Sequence, residues 1–223
     1  MKTIAVVFRE PERLDLAQLD LVDAEDRDVV VDIAWSAVST GTERLLWTGR
    51  MPAFPGMGYP LVPGYESVGR IRSAGPASGR VEGETVFVPG ARCFGPVRGL
   101  FGGAASTVVV PGERVIPVDA GLGERAALLA LAATAQHAIA GDVLPELIVG
   151  HGVLGRLLAR LTVAAGGSPT VWEHTPARRS GAAGYEVIAP EDDPRRDYRT
   201  IIDVSGDPRL LDALIAGLAP GGE

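Results

Sequence analysis

Cysteine is almost absent: Cys93 is the single one in 223 residues. An internal disulfide is therefore excluded, as is a structural zinc lobe held by four cysteines, and a reducing compartment is the natural setting. Basic charge is also short. Lys and Arg number 21 against 28 Asp and Glu, for a net charge of -7. No basic stripe is available to release counterions from a phosphate backbone, so a nucleic-acid partner is not expected. Pairs such as Arg178-Arg179 and Arg195-Arg196 are short enough to be solvated faces. Long apolar runs are missing too. The best, Ala126 to Ala140, is interrupted by Thr134, Gln136 and His137 and falls short of the roughly 20 residues that span a bilayer. Met1 to Arg9 is too short in its apolar part for a signal peptide and reads as a first strand. The expectation is a soluble, cytoplasmic protein.

What is present is enough apolar residue, 46%, for one large core or two modest ones. The texture changes along the chain. From Met1 to about Pro117, β-branched runs are separated by Gly- and Pro-containing turns: Thr3 to Phe8, Val29 to Ala37, Ser67 to Ser73, Thr85 to Val88 and Ser106 to Val110. Such punctuation predicts an irregular β-barrel. Within it, Trp47 to Gly64 gathers Trp47, Met51, Phe54, Met57 and Tyr59 among glycines and prolines and predicts a long shaped loop. From Ala120 onward helices alternate with short apolar strands, the pattern of a parallel α/β sheet. A helix is predicted over Leu128 to Ala140, and strands over Leu147 to Val149, Thr170 to Trp172, Val187 to Ala189 and Thr200 to Val204. Leu154, Leu157, Leu158, Leu161 and Ala165 build one apolar helical face. Pro208 to Leu218 predicts a last helix, and its glycine ending should deliver a further strand. The expected domains are 1–118 and 119–223, an α/β architecture with a β-barrel followed by a doubly wound parallel sheet that is incomplete at its C-terminal side.

Gly150-His151-Gly152-Val153-Leu154-Gly155 fits G-x-G-x-x-G between an apolar strand and an amphipathic helix, and Glu173 ends the next strand 23 residues after Gly150. Together these predict a dinucleotide site. Gly150 permits the tight turn, Gly152 lets a pyrophosphate approach, Gly155 lets helix and strand pack, and the helix N-terminus stabilises phosphate charge. Glu173 would accept hydrogen bonds from ribose hydroxyls and repel a 2′-phosphate, which predicts NAD over NADP. Arg178 and Arg179 cut the other way, since an arginine past this strand can bind a 2′-phosphate, although a solvated helix N-terminal region is the commoner explanation and the one favoured. His151, between two glycines, is read as set by the backbone with no proton role.

A β-barrel followed by a nucleotide-binding sheet resembles the medium-chain dehydrogenase/reductase superfamily with its GroES-like first domain. Ser39-Thr40-Gly41-Thr42-Glu43 lies where zinc members carry a Cys-Gly-Thr-Asp type segment, and Gly64-Tyr65-Glu66 where they carry Gly-His-Glu. Asp203-Val204-Ser205-Gly206 resembles the strand end near the nicotinamide, which adds Val204, Ser205 and Gly206 to the expected cofactor residues. Gly41 to Trp47, Val88 to Cys93, Gly99 to Ala105, Leu147 to Leu157 and Tyr198 to Gly206 are similar to the branch of that superfamily that acts on bacteriochlorins. The resemblance implies a tetrapyrrole substrate whose hydroxyethyl side chain is oxidised to acetyl, with NAD accepting the hydride. It also implies that later strands would supply a homodimer contact.

Zinc alcohol dehydrogenases hold the metal with a thiolate and an imidazole. The corresponding positions here are Thr40 and Tyr65, poor zinc ligands at neutral pH, so no metal is expected. Cys93 reads as a small buried hydrophobe. Alcohol oxidation still needs a proton acceptor, and Thr40, Tyr65 and Glu66 are the candidates. Glu66 reads equally as tied to Arg44 or Arg70, and His137 as a core histidine. For a flat macrocycle, Arg44, Trp47, Met51, Phe54 and Arg92 are candidate substrate contacts, with Arg50 and Arg98 near in sequence; the apolar ones read equally as packing of a barrel lid. Two other functions fit the same residues: a zinc-free quinone or enone reductase, and a dinucleotide-binding protein without turnover.

Overall fold

Alternation sets the first strand: Thr3, Ala5 and Val7 are buried while Lys2 and Ile4 face outward, the two-residue period of a half-buried sheet. This strand, β1 (Lys2–Glu10), pairs antiparallel with β2 (Arg13–Asp20) in register from Lys2↔Asp20 to Phe8↔Leu14, with a register shift before Glu10↔Arg13. After β3 (Asp28–Ser36) comes the short helix α1 (Thr42–Trp47), then β4 (Leu61–Val62), β5 (Ser67–Ala74), β6 (Thr85–Val88), β7 (Arg98–Gly99), β8 (Thr107–Pro111) and β9 (Ile116–Pro117). They form two sheets, β2-β1-β4-β7 and β8-β3-β5-β6-β9. Between them lies a valine-rich core including Val29, Val31, Val86, Val88, Val108 and Val110. The computed structural model describes residues 1–141 and 143–223.

The chain divides into two compact units, Met1–Ala130 and Leu131–Glu223. The first extends twelve residues beyond the boundary at 118 suggested by texture. The reason is burial: Ala126 and Ala127, at the end of a 3-10 segment Ala120–Leu128, pack against Val68 and Phe87 of the barrel.

After α2 (Leu129–Ala138), the second unit contains β10 (Leu147–Val149), α3 (Val153–Ala164), β11 (Thr170–Trp172), β12 (Glu186–Ile188), β13 (Ile201–Asp203) and α4 (Leu211–Ala216). The four strands are parallel in the order β12-β11-β10-β13. The chain thus builds outward from β10 on one side and returns to its other side with β13. That reversal makes the C-terminal end of β10 a topological switch point, where a crevice opens in sheets of this kind. Apolar residues cover both faces. Ile148 and Val171 meet Leu158 and Ala159 of α3, and Leu147, Val149 and Trp172 meet Tyr198 and Leu214. On the latter side the buried carboxylate of Asp193 accepts hydrogen bonds from Trp172 Nε1 at 2.6 Å, from the Tyr198 hydroxyl and from the Arg195 N–H.

Several expectations are corrected. β2, β4, β7 and β9 have no run in the sequence long or buried enough to announce them; β2 leaves Leu14 and Leu16 exposed and is held by its pairing with β1. The six-residue α1 is too short to show a period. The predicted last helix is a 3-10 turn, Pro208–Leu210, followed by α4, since Asp207 caps Arg209 N and Pro208 opens the turn. His137 is exposed on α2 and is not a core residue.

Leu158, fully buried between α3 and the sheet, is a measure of this packing. Leu158→Ala should destabilise the second unit by about 2–5 kcal/mol, read from urea unfolding followed by circular dichroism. A loss below about 0.5 kcal/mol would mean that α3 is not seated as described.

Candidate functional site

In the second unit the polypeptide leaves β10 through Gly150 at φ +106, a left-handed conformation that favours glycine. A Cβ there would also approach Ser205 Cα at 3.1 Å, and one on Gly155 would sit 1.8 Å from the carbonyl oxygen of Gly150. Both positions require glycine for close approach of backbone. Gly152 is different: nothing lies within 4 Å of where its Cβ would be. It caps α3, whose first intrahelical bond runs from Arg156 N to Gly152 O at 2.9 Å. The open space at Gly152 faces the first N–H groups of the helix, which have no acceptor within the helix and carry its positive dipole end. The positive end of the helix suits the charge of a phosphate group. Val153 is exposed there, Leu154 half-buried.

His151 is buried in the turn. Its Nδ1 lies 2.7 Å from the Arg178 carbonyl and its Nε2 2.8 Å from the Tyr185 hydroxyl. A carbonyl only accepts, so Nδ1–H donates to it and Nε2 accepts from Tyr185 O–H. That is the neutral tautomer, and burial accordingly pushes its pKa down, against the Arg178 carbonyl, which raises it. The imidazole ties the turn to the segment between β11 and β12. Arg156 reinforces the tie, donating to the carbonyls of His151 at 3.2 Å and of Arg178 at 2.8 Å.

Glu173 closes the same turn. Its Oε2 accepts from His151 N at 3.2 Å and its Oε1 from Thr175 N at 2.8 Å. Burial works to raise its pKa, but these two N–H groups, the Thr175 hydroxyl and the charge of Arg178 outweigh burial and hold it below the usual carboxylate range. The group is therefore an anion. Arg178 is exposed, whereas the Arg179 guanidinium is bound to the carbonyls of Glu173 and His174 at 2.7 and 2.9 Å. After β13, Val204 N bonds Val149 O at 3.0 Å, Ser205 N bonds Asp203 Oδ1 at 2.8 Å, and Gly206 turns at φ +70. The structure thus gathers Gly150 to Gly155, Glu173, Arg178 and Val204 to Gly206 around the switch point.

In the first unit, α1 and the segment leading into β5 form a second polar centre. Gly64, at φ +96, lies so close to Ala104 N that a Cβ would stand 2.8 Å away. Its carbonyl accepts from Gly103 N at 2.7 Å, and Ser67 Oγ donates to Gly103 O at 2.8 Å. This clamp fixes Tyr65 and Glu66. The Tyr65 hydroxyl lies 3.4 Å from Thr42 Oγ1, and its ring meets Phe101 edge-on at 5.5 Å. Thr40 is exposed, and the hydroxyl that meets Tyr65 belongs to Thr42 instead.

Two carboxylates are buried here, Glu43 of α1 and Glu66, at 6% and 3% exposure. Among the described residues, Glu43 Oε1 and Oε2 and Glu66 Oε1 have no partner in full hydrogen-bond geometry. Burial raises the pKa of Glu43 to about 6 and the charge of Glu66 adds to the rise, while the neighbouring backbone of Glu43, Ser39 and Gly64 acts against it. Burial likewise raises Glu66, with the Tyr65 hydroxyl acting against it. The expected tie to Arg44 or Arg70 is not formed. Arg70 Nε donates to Gly83 O at 2.9 Å, Arg44 is exposed, and among the described residues no ion pair includes either carboxylate. Nor do the residues fit a zinc site: hydroxyls stand at Thr40 and Tyr65, and no group of three His, Cys, Asp or Glu able to hold a metal occurs among the described residues. Cys93 is buried in the barrel core, its thiol pushed up to about 11 by burial, so it is no thiolate ligand.

The candidate substrate residues separate. Trp47 packs edge-on against Phe8 at 5.6 Å, and Trp47 and Met51 join Phe8, Leu46, Leu61 and Leu100 in a satellite core. Phe54, Arg44 and Arg92 are exposed. Thr42, Glu43, Phe101 and Tyr185 are the site residues that sequence reasoning did not single out. Glu43 and Thr42 stood inside a quoted segment, but only the turn of α1 aims them inward. Tyr185 has no spacing signal at all.

The description "Alcohol dehydrogenase GroES-like domain" matches residues 25–120. The whole chain is 57% identical to the 2-desacetyl-2-hydroxyethyl bacteriochlorophyllide A dehydrogenase of Rhodobacter capsulatus and 56% identical to that of Cereibacter sphaeroides. It spans 72% and 73% of their lengths. A cinnamyl alcohol dehydrogenase from Sorghum bicolor has the same fold, with a TM-score of 0.83 at 21% identity over 100% of this chain and 75% of its own.

Gly155→Ala places a methyl against the Gly150 carbonyl, and should cost roughly 1–3 kcal/mol of stability and abolish NADH binding in a fluorescence titration. Binding at wild-type strength would show that the close contact is dispensable.

Proposed function

The chain belongs to the 2-desacetyl-2-hydroxyethyl bacteriochlorophyllide A dehydrogenase family of alcohol dehydrogenases with a GroES-like domain, and we propose that it oxidises the hydroxyethyl side chain of a bacteriochlorophyllide to acetyl with NAD as hydride acceptor. The 57% identity along the whole chain is the observation that carries the substrate. NAD rests on Glu173, whose anionic carboxylate after β11 repels a 2′-phosphate; of the two arginines that favour a 2′-phosphate, Arg179 is occupied by backbone carbonyls and Arg178, beside Glu173, is exposed.

A bound nicotinamide supplies the hydride acceptor. The protein supplies the rest. The α3 N-terminus and the open space at Gly152 hold the pyrophosphate, and Glu173 takes the adenosine ribose. Tyr65 presents a hydroxyl to the substrate oxygen, with Thr42 beside it and Thr40 at the rim, and Glu66 lies behind as the titratable group. Phe101 and Phe54 offer apolar surface to the macrocycle, and Arg44 or Arg92 pairs with its propionate. The enzyme works in the cytoplasm.

The test is NADH formation with a hydroxyethyl bacteriochlorophyllide, run beside NADP. NAD should be preferred, and a strong NADP preference would overturn the cofactor assignment. Tyr65→Phe should lower kcat by roughly a hundredfold. Full turnover in both Tyr65→Phe and Thr40→Val would rule out hydroxyl-assisted proton removal.

A further inference from the structure

We propose that Glu43 and Glu66 form a coupled proton-accepting pair behind the Tyr65 hydroxyl, in which Glu66 takes the alcohol proton and Glu43 is the positioning residue that keeps Glu66 basic. The proposal rests on the dehydrogenase reading above. Its ground is the burial of two carboxylates that enter no ion pair among the described residues. A buried carboxylate kept for stability is expected to be paired or fully hydrogen-bonded, because an unmet acceptor costs free energy. Neither group is paired. What they share is each other: Glu66 raises the pKa of Glu43, and by reciprocity a charge on Glu43 makes Glu66 harder to ionise.

Among the described residues, no cation pairs with either carboxylate. On α1, Arg44 points to solvent; on β5, Arg70 is bound to Gly83 O. The segment entering β5 contributes Tyr65, and the Gly102 to Ala105 segment packed on Gly64 contributes no titratable group. Tyr65 is the way out, with Thr42 Oγ1 on its hydroxyl and Glu66 as its carboxylate neighbour. In the oxidation, the C–H hydrogen leaves with its bonding electron pair to the nicotinamide. The O–H bond breaks, its electrons form the carbonyl, and the proton passes to Tyr65 Oη as the tyrosine proton moves to Glu66. Solvent then recovers that proton. The missing zinc ligands are thus matched by a buried carboxylate base, raised by burial, rather than by a Lewis acid.

Infrared pH-difference spectra of the protein without substrate or cofactor test the pair directly. A protonated-carboxyl band should grow as pH falls through about 6, and it should be lost in Glu43→Gln and shifted to lower pH in Glu66→Gln; an unchanged band in both overturns the proposal. Stability gives a second readout. Glu43 is raised above its ordinary 4.5, so its contribution is fully present below that value and is lost as pH rises through about 6. Unfolding curves should therefore show Glu43→Gln gaining on the wild type across that rise, and parallel pH profiles would count against coupling. In turnover, the acid limb of kcat/KM should move to lower pH in Glu43→Gln, while Glu66→Gln should lower the plateau by roughly a hundredfold. A titrating band without any bacteriochlorin turnover upholds the pair and overturns the dehydrogenase reading. Turnover whose acid limb stays in place in Glu43→Gln does the reverse.

Discussion

The carbonyl oxygen of Gly150 leaves no room for a Cβ on Gly155, and the second unit is organised around that contact. It brings the first turn of α3 onto the end of β10, at the strand where the sheet reverses direction. Everything proposed to touch the cofactor depends on this approach. The helix N–H groups open toward Gly152, the Val204 to Gly206 turn lies against Gly150, and Glu173 reaches the His151 N–H from the neighbouring strand. The His151 ring then bolts the turn to the chain beyond β11 through Tyr185 and the Arg178 carbonyl. A preorganised anion cradle follows, because its N–H groups are held by contacts that do not involve the ligand.

The first unit is built on another principle. Its core is made of small β-branched residues between two sheets, and its polar centre departs from what stability alone would favour. Glycines at 64 and 103 bring two segments into backbone contact, and that contact holds Tyr65 beside Thr42 and sinks Glu66 near Glu43. Unpaired buried carboxylates destabilise the barrel, and the valine core and the clamp offset that cost. Such local conflict between folding and placement is where function is commonly found.

The two units differ in how openly they declare themselves. The parallel sheet was legible because its central strands β10 and β11 are short, largely buried apolar runs, and its glycine turn combines three conditions at fixed spacing. The barrel was only half legible. Strands that lean on a neighbour for pairing, such as β2, or that last two residues, such as β4 and β7, have no periodic signature. Of the polar centre, Tyr65 and Glu66 were found through their positions in a segment, whereas Thr42 and Glu43 face inward only because α1 turns where the sequence shows no helix. Trp47 and Met51 looked like substrate surface by composition, yet they pack against Phe8 and Leu100, since composition reports hydrophobicity and not direction.

By itself, the sequence determined the alternation that makes the sheets, the glycine turn with its acidic partner, and the replacement of metal-binding side chains by hydroxyls. These are local properties, set by backbone freedom, side-chain period and donor chemistry. Only the tertiary structure decided that His151 is a neutral strut, that Arg179 is spent on carbonyl oxygens, and that Glu43 and Glu66 are buried without cations. Burial and charge coupling depend on distances between residues far apart along the chain, and no spacing rule encodes those distances.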